Sequence, residues 1–218
     1  MTLDAEAFIR ARTRLAPVPL VPEISLLGAQ ALEPLWKELE ALSGDPDCPP
    51  PFWAFPWAGG VGLARFVLDH PEHVRGKRVL DFASGSGLVG IAAALAGAKQ
   101  VAACDIDPLA QAAGQLNAEA NGVSVTVVGA VDFKRVPKGV DVILAGDVCY
   151  DHLMAHRSLA WLRLCAAAGV MVLLGDPARA YAPQDGVELL ANVTVPTVLE
   201  IEDREEREVS IWHFVASI

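Results

Sequence analysis

The stretch from Arg78 to Asp107, RVLDFASGSGLVGIAAALAGAKQVAACDID, decides the fold. An apolar run, Val79 to Phe82, leads into small residues, Ala83-Ser84-Gly85-Ser86-Gly87. An Ala/Leu-rich segment of helical composition follows, then a second apolar run that ends in acids at Asp105 and Asp107. Strand, glycine turn, helix, strand is a βαβ unit, and such units build parallel sheets with helices on both faces.

Outward from this unit the alternation continues. PLAQAAGQLNAEANG, VSVTVV, VDVILAGD, HLMAHRSLAWLRLCAAAG and VMVLLGD read as helix, strand, strand, helix, strand. The tail breaks the pattern. Val187 to Ile201 and Glu208 to Ile218 are joined by the charged run EDREER, with no room for a crossover helix, so a terminal antiparallel hairpin is expected. The reading is an α/β, doubly wound, seven-stranded, Rossmann-like sheet of order 3-2-1-4-5-7-6 with strand seven antiparallel. Upstream, residues 4 to 15 and 24 to 42 carry apolar residues at helical spacing (Ile24, Leu27, Ala31, Leu35, Leu39), separated by a Pro-rich stretch between Pro17 and Pro22. This predicts an N-terminal helical annex over residues 1–50 and the α/β domain over 51–218. The aromatic-rich break before the sheet, with Trp53, Phe55 and Trp57, is expected to line a site rather than serve as a linker, while Trp53 fits equally well as a wedge between the N-terminal annex and the sheet.

Composition sets limits on function. A net charge of −10 without a block of Lys or Arg argues against a nucleic-acid partner, which needs a cationic surface. The mixed charges of MTLDAEAFIRARTRL and the lack of a long apolar run predict neither a signal peptide nor a membrane segment. Cys48, Cys104, Cys149 and Cys165 form no C-x-x-C pair and suit a reducing, cytoplasmic setting. His152 and His156 lie one helical turn apart without a third ligand, so no metal is expected.

The glycine loop lets a ligand approach the backbone, because Ala83, Ser84, Gly85 and Gly87 carry little or no side chain. Gly85, Gly87 and Gly90 also fit the dinucleotide fingerprint G-x-G-x-x-G, which alone is weak evidence. Two carboxylates favour S-adenosylmethionine instead. Asp81, on the strand end ahead of the loop, would repel a pyrophosphate but can help hold an ammonium, directly or through water. Asp105, ending the next strand, can accept both ribose hydroxyls. Ile106 falls on the adenine side, and Asp132, after the third strand, is a candidate acceptor for the adenine amine.

The fourth strand ends in Asp147-Val148-Cys149-Tyr150, and ligands of doubly wound sheets sit at the carboxyl ends of strands near the switch in strand order. Asp151 reads as the cap of the next helix, which leaves Asp147 beside the transferable methyl. A carboxylate there suits a nitrogen acceptor that carries hydrogens. With a lysine acceptor its role is orientation, since Asp147 alone would stabilise the ammonium. Tyr150 would direct the amine or pack its stem. Cys149 reads as packing, and Glu202 to Glu208 as a solvated turn, with substrate recognition as the alternative.

At these residues the chain resembles the seven-strand methyltransferases, and within them the electron-transfer flavoprotein β-subunit lysine methyltransferases and their bacterial relatives. The resemblance runs from about Val21 to Ala182. It rests on PFWAFPWAGG (Pro51 to Gly60), the glycine-loop segment Val79 to Ala98, DIDP (Asp105 to Pro108), GDVCYD (Gly146 to Asp151) and GDP (Gly175 to Pro177). It implies that Trp57 and the glycine loop contact S-adenosylmethionine, that Asp105 binds ribose, and that Asp147 and Tyr150 face an acceptor lysine on the electron transfer flavoprotein β subunit. Gly146 is counted with the cofactor-binding positions. Ala58 stands where the family usually has proline, and Ala83 where the general loop has its first glycine. Two rivals keep the same cofactor half: a methyltransferase for a small amine or pyridine nitrogen such as nicotinamide, and a cofactor-binding module without turnover.

Overall fold

The computed structural model describes residues 4–45, 47–197 and 199–215. In chain order these form α1 (Ala5–Arg12), β1 (Arg14–Val18), β2 (Val21–Gly28), α2 (Leu32–Ser43), α3 (Ala58–Asp69), β3 (Arg78–Phe82), α4 (Leu88–Leu95), β4 (Gln100–Cys104), α5 (Pro108–Ala120), β5 (Thr126–Val128), β6 (Val142–Gly146), α6 (His152–Ala167), β7 (Met171–Asp176), β8 (Val187–Pro196), the single turn α7 (Leu199–Glu202) and β9 (Glu206–Phe214). A 3-10 turn at Phe52–Ala54 precedes α3.

The main sheet has the order β5-β4-β3-β6-β7-β9-β8. β3 pairs in parallel with β4 on one side and β6 on the other, and β9 runs antiparallel to both β7 and β8. This is the order 3-2-1-4-5-7-6 expected from the sequence. The direction of winding reverses at β3, so a crevice opens beyond the carboxyl ends of β3 and β6.

The central strands are continuous apolar runs because both of their faces are covered. Val142 and Leu144 of β6 join the core beneath α3 and α4, while Ile143 and Ala145 join the core beneath α6, where Trp161 is buried. A third cluster unites Phe8 and Ile9 of α1, Leu35 and Leu39 of α2, Trp53 and Phe55, and Ala110, Ala113 and Leu116 of α5. The aromatic break thus wedges the N-terminal segment onto α5.

The N-terminal annex differs from the expected pair of helices. α1 ends at Arg12, and β1 and β2 form an antiparallel hairpin where helix was expected at 13–15 and 24–28. Ile24 and Leu26 are buried at alternating positions of a strand that packs on the main core, and only Leu35 and Leu39 follow helical spacing, on α2. The apparent i, i+3, i+4 series merged a strand and a helix across Gly28. The tail hairpin is present but shorter on its first arm: β8 stops at Pro196, and α7 occupies part of what reads as strand. The expected end of the second arm, residues 216–218, lies outside the described residues.

Candidate active site

The loop after β3 is built by backbone conformation. Ala83, Gly85 and Gly87 all take positive φ, at 54°, 50° and 79°. A Cβ at Gly87 would meet the Gly114 backbone at 3.1 Å, so this turn must stay bare for α4 and α5 to close against each other. Asp105, at the end of β4, ties the loop down: Oδ2 accepts from the Gly85 N–H at 2.8 Å and Oδ1 from the Asp107 N–H at 3.0 Å. Asp81 is 1% exposed, and its Oδ2 accepts from the Gly90 N–H at 2.8 Å. Burial, with Asp105 nearby, pushes its carboxyl up to about 7 against that hydrogen bond.

The second half of the site is the amino end of α3. This helix has no side-chain cap of its own. Carboxylates from distant parts of the chain serve instead: Asp147 Oδ2 accepts from the Gly60 N–H at 2.8 Å, and Glu202 Oε1 from the Ala58 N–H at 3.3 Å. Both place negative charge where the helix dipole and its unpaired donors favour it. The approach requires glycine. A Cβ at Gly59 would stand 2.4 Å from the Gly175 carbonyl oxygen, and one at Gly146 2.8 Å from Gly60 Cα. The bare positions Gly59 on the helix and Gly146 on the strand therefore let α3 sit directly on the ends of β6 and β7.

Asp147 follows β6 in a left-handed conformation, φ 54°, which Asp tolerates better than most residues. Its side chain is 12% exposed and pairs with Arg179 Nη2 at 3.0 Å. Burial pushes its carboxyl up to about 6, with Arg179 and the Gly60 N–H opposing and Glu202 adding to the rise. Tyr150 is 47% exposed and packs against Phe52 with the rings tilted by 50° and their centres 5.3 Å apart. Asp151 caps α6 through the Met154 N–H at 2.9 Å, as expected. Trp57 donates its indole N–H to the Phe52 carbonyl at 2.9 Å. Cys149 is buried, and burial beside Asp176 pushes its thiol up, which suits packing rather than nucleophilic attack.

These residues border one cavity of about 610 Å³, within the usual range for small-molecule sites. Trp57, Asp81, Ala83, Ser84, Gly85, Asp105, Ile106, Gly146, Asp147 and Tyr150 all line it; Gly87, expected with them, does not, because it ends the loop facing the Gly114 backbone of α5. Asp132 does not line it. Its carboxylate accepts from the Lys134 N–H at 2.9 Å and pairs with Arg135, so it caps its own turn, and the backbone neighbours Ala130 and Val131 form that part of the wall. Sequence reasoning also missed Arg179 and Glu202. Glu202 was expected in a solvated turn but is buried. Arg179 carries no motif beyond its place after Gly175-Asp176-Pro177.

The donor set fits S-adenosylmethionine. The bare loop can receive the methionine part, and Asp81, Asp105 and Asp147 complement a cationic ligand where pyrophosphate would be repelled. Leu88, Ile106, Val131 and Phe133 offer apolar walls for an adenine.

Residues 66–149 match the family model described as ribosomal protein L11 methyltransferase (PrmA). The electron transfer flavoprotein beta subunit lysine methyltransferase of Rattus norvegicus is 34% identical over 98% of this chain and 86% of its own length. Its counterpart in Xenopus laevis is 35% identical over 95% of this chain and 86% of its own length. Among solved structures, a putative RNA methyltransferase from Pyrococcus horikoshii superposes with a TM-score of 0.55 at 18% identity, covering 84% of this chain and 98% of that one, which speaks to the fold alone. With the fold, the carboxylate-lined cavity and relatives aligned along nearly its whole length, the chain is an S-adenosylmethionine-dependent methyltransferase and belongs to the electron transfer flavoprotein beta subunit lysine methyltransferase family.

Proposed function

We propose that the chain methylates the ε-nitrogen of a lysine on a folded protein, the β subunit of electron transfer flavoprotein, in the cytoplasm, where its four unpaired cysteines are stable. The observation that carries this reading is the position of Asp147, largely buried on the wall of a cavity whose rim is open at Tyr150, Ile106 and Leu153. An open rim admits a lysine presented on a protein surface, whereas a small acceptor would call for an enclosed pocket.

When bound, the cofactor supplies an electrophilic methyl group on a sulfonium. Asp105 would accept the ribose hydroxyls, the loop from Ala83 to Gly87 would hold the methionine part, and Trp57, on the wall of the same cavity, would contact the cofactor. Asp81, with one oxygen committed to Gly90, offers the other to the ammonium. Asp147 accepts a hydrogen bond from the acceptor nitrogen and turns its lone pair toward the methyl, so that alignment supplies much of the rate. Holding lysine neutral at pH 7 costs roughly 4 to 5 kcal/mol. Partial burial and a neighbouring sulfonium reduce that cost, and the proton leaves to water. Tyr150, whose hydroxyl is pushed further up by partial burial and by Asp151 and Asp105, packs along the lysine stem.

The test is to incubate the protein with labelled S-adenosylmethionine and purified electron transfer flavoprotein, then locate the label by mass spectrometry. Label on a β-subunit lysine, lost when that lysine is replaced by arginine, is expected. Label confined to small molecules would overturn the substrate assignment. In the same assay Asp105→Ala should weaken cofactor binding by roughly 10- to 100-fold, the worth of hydrogen bonds to a charged acceptor, as read by calorimetric titration.

A further inference from the structure

Arg179 is held at its backbone and at its head. Its N–H donates to Asp176 Oδ1 at 2.7 Å, and its guanidinium carbon lies 6.0 Å from the centre of the Trp57 ring. Its Nη2 bridges two carboxylates, Asp147 Oδ1 at 3.0 Å and Glu202 Oε1 at 2.9 Å. Glu202, on α7, is held in turn. Arg207 Nε stands 3.5 Å from Glu202 Oε2, and Arg207 Nη2 donates to the Glu202 carbonyl at 2.7 Å. A chain of alternating charge thus runs from the cavity wall to the tip of the terminal hairpin.

As a device for stability this chain is inefficient. Arg179 Nε, Glu202 Oε2 and Arg207 Nε are buried without hydrogen-bond partners among the described residues, and buried ion pairs seldom recover the cost of removing them from water. What the chain does accomplish is local: it holds one oxygen of Asp147 while Gly60 holds the other. We propose that Arg179, anchored by Glu202, is a positioning residue for methyl transfer that keeps Asp147 a carboxylate in one fixed orientation at the acceptor end of the cavity. This rests on the reading of Asp147 as the group that orients the acceptor.

The charged and polar neighbours of Asp147 set the sign of the effect. Arg179 comes from the loop after β7, Glu202 from α7 and the Gly60 N–H from α3; Asp176 with the Cys149 thiol, and Arg207, lie behind them. Without the charge of Arg179, the Gly60 N–H is left to oppose burial and the repulsion of Glu202, with the positive charge of a bound cofactor adding to it. Asp147 would then take up a proton around neutral pH, and a neutral carboxyl grips the acceptor nitrogen weakly. An opposite charge this close shifts a carboxyl by about one to three pH units.

The test compares single-turnover rates of wild type, Arg179→Gln, Arg179→Lys and Asp147→Asn from pH 6.5 to 9, at saturating S-adenosylmethionine with electron transfer flavoprotein as acceptor. Taking the ratio of wild-type to variant rate cancels deprotonation of the lysine itself. For Arg179→Gln that ratio should fall about twentyfold between pH 6.5 and 9, for a displacement of about two pH units. Arg179→Lys, which keeps the charge and loses the fork, should retain the wild-type pH profile at a lower rate with unchanged cofactor affinity. A ratio independent of pH for Arg179→Gln, with Asp147→Asn inactive, would overturn the role of Arg179 alone. Full activity in Asp147→Asn would remove the reading of Asp147 beneath it. Should Arg179→Gln fail to fold, Arg179→Lys decides: loss of cofactor binding together with activity would mark a structural role and sink the proposal.

Discussion

Asp147→Asn is expected to lower methyl transfer at pH 7 by about 100-fold while S-adenosylmethionine still binds. Asn is the informative replacement because it also tolerates the left-handed backbone at this position, φ 54°, so the turn after β6 is preserved. What changes is the number and strength of acceptors. The carboxylate accepts from Gly60 through one oxygen and from Arg179 through the other. Asn has a single carbonyl oxygen, so its amide either turns N–H groups toward Arg179 or releases Gly60. In neither arrangement does a charged acceptor remain for the amine of the substrate. A hydrogen bond to a charged group is worth about 1.5 to 3 kcal/mol, and its upper range corresponds to the expected rate loss. Cofactor affinity, measured by calorimetric titration, should stay within a few-fold of wild type, because the glycine loop, Asp81 and Asp105 belong to the other half of the cavity. A variant that turns over normally would show that Asp147 only caps α3.

The two halves of the site were not equally legible in the sequence. The glycine loop was readable because each of its demands is local: positive φ at Gly85 and Gly87, a strand before, a helix after and an acid at the end of the next strand. The parallel, doubly wound sheet was readable from helices that alternate with short apolar strands, broken only between β5 and β6, and the terminal hairpin from the end of that alternation after β7. Asp147 was readable as the polar end of an apolar strand. Its partners were not. Glu202 belongs to a run, Glu202-Asp203-Arg204-Glu205-Glu206-Arg207, whose composition is that of a solvated turn, and only the packing of α7 on α3 takes Glu202 out of water. Arg179 reaches Asp147 from 32 positions away through a loop that no periodicity marks. Asp132 was misread because a polar residue after a strand looks the same whether it meets a ligand or caps its own turn. In the N-terminal annex, Ile24 and Leu26 fit a two-residue period as well as a helical one. The choice was made by β1, an edge partner visible only in three dimensions.

Adjacent glycines at the start of α3 should respond to alanine in opposite directions. At Gly59 the new Cβ would fall 2.4 Å from the Gly175 carbonyl oxygen and 2.6 Å from Asp147 Oδ2. The first obstacle is backbone in β7, a strand paired on both sides, so it cannot move aside without disturbing the sheet. α3 must lift instead, and its amino end would leave the two carboxylates that cap it. Overpacking of this kind costs about 3 kcal/mol or more, which for a domain of this size lowers the melting temperature by roughly 6 to 12 °C. Because the second obstacle is the carboxylate of Asp147 itself, transfer should fall even below the melting transition. At Gly60 the new Cβ would meet only Val89 Cγ2 at 3.8 Å, an ordinary contact, and the N–H that serves Asp147 is unchanged. Ala there removes the entropic cost of glycine in a helix, so Gly60→Ala should gain up to about 1 kcal/mol. Thermal unfolding of both variants, monitored by circular dichroism at pH 7, checks the pair. Equal and small effects at the two positions would mean that α3 does not rest on the strand ends, and the close seating of its amino end on Asp147 would have to be abandoned with it.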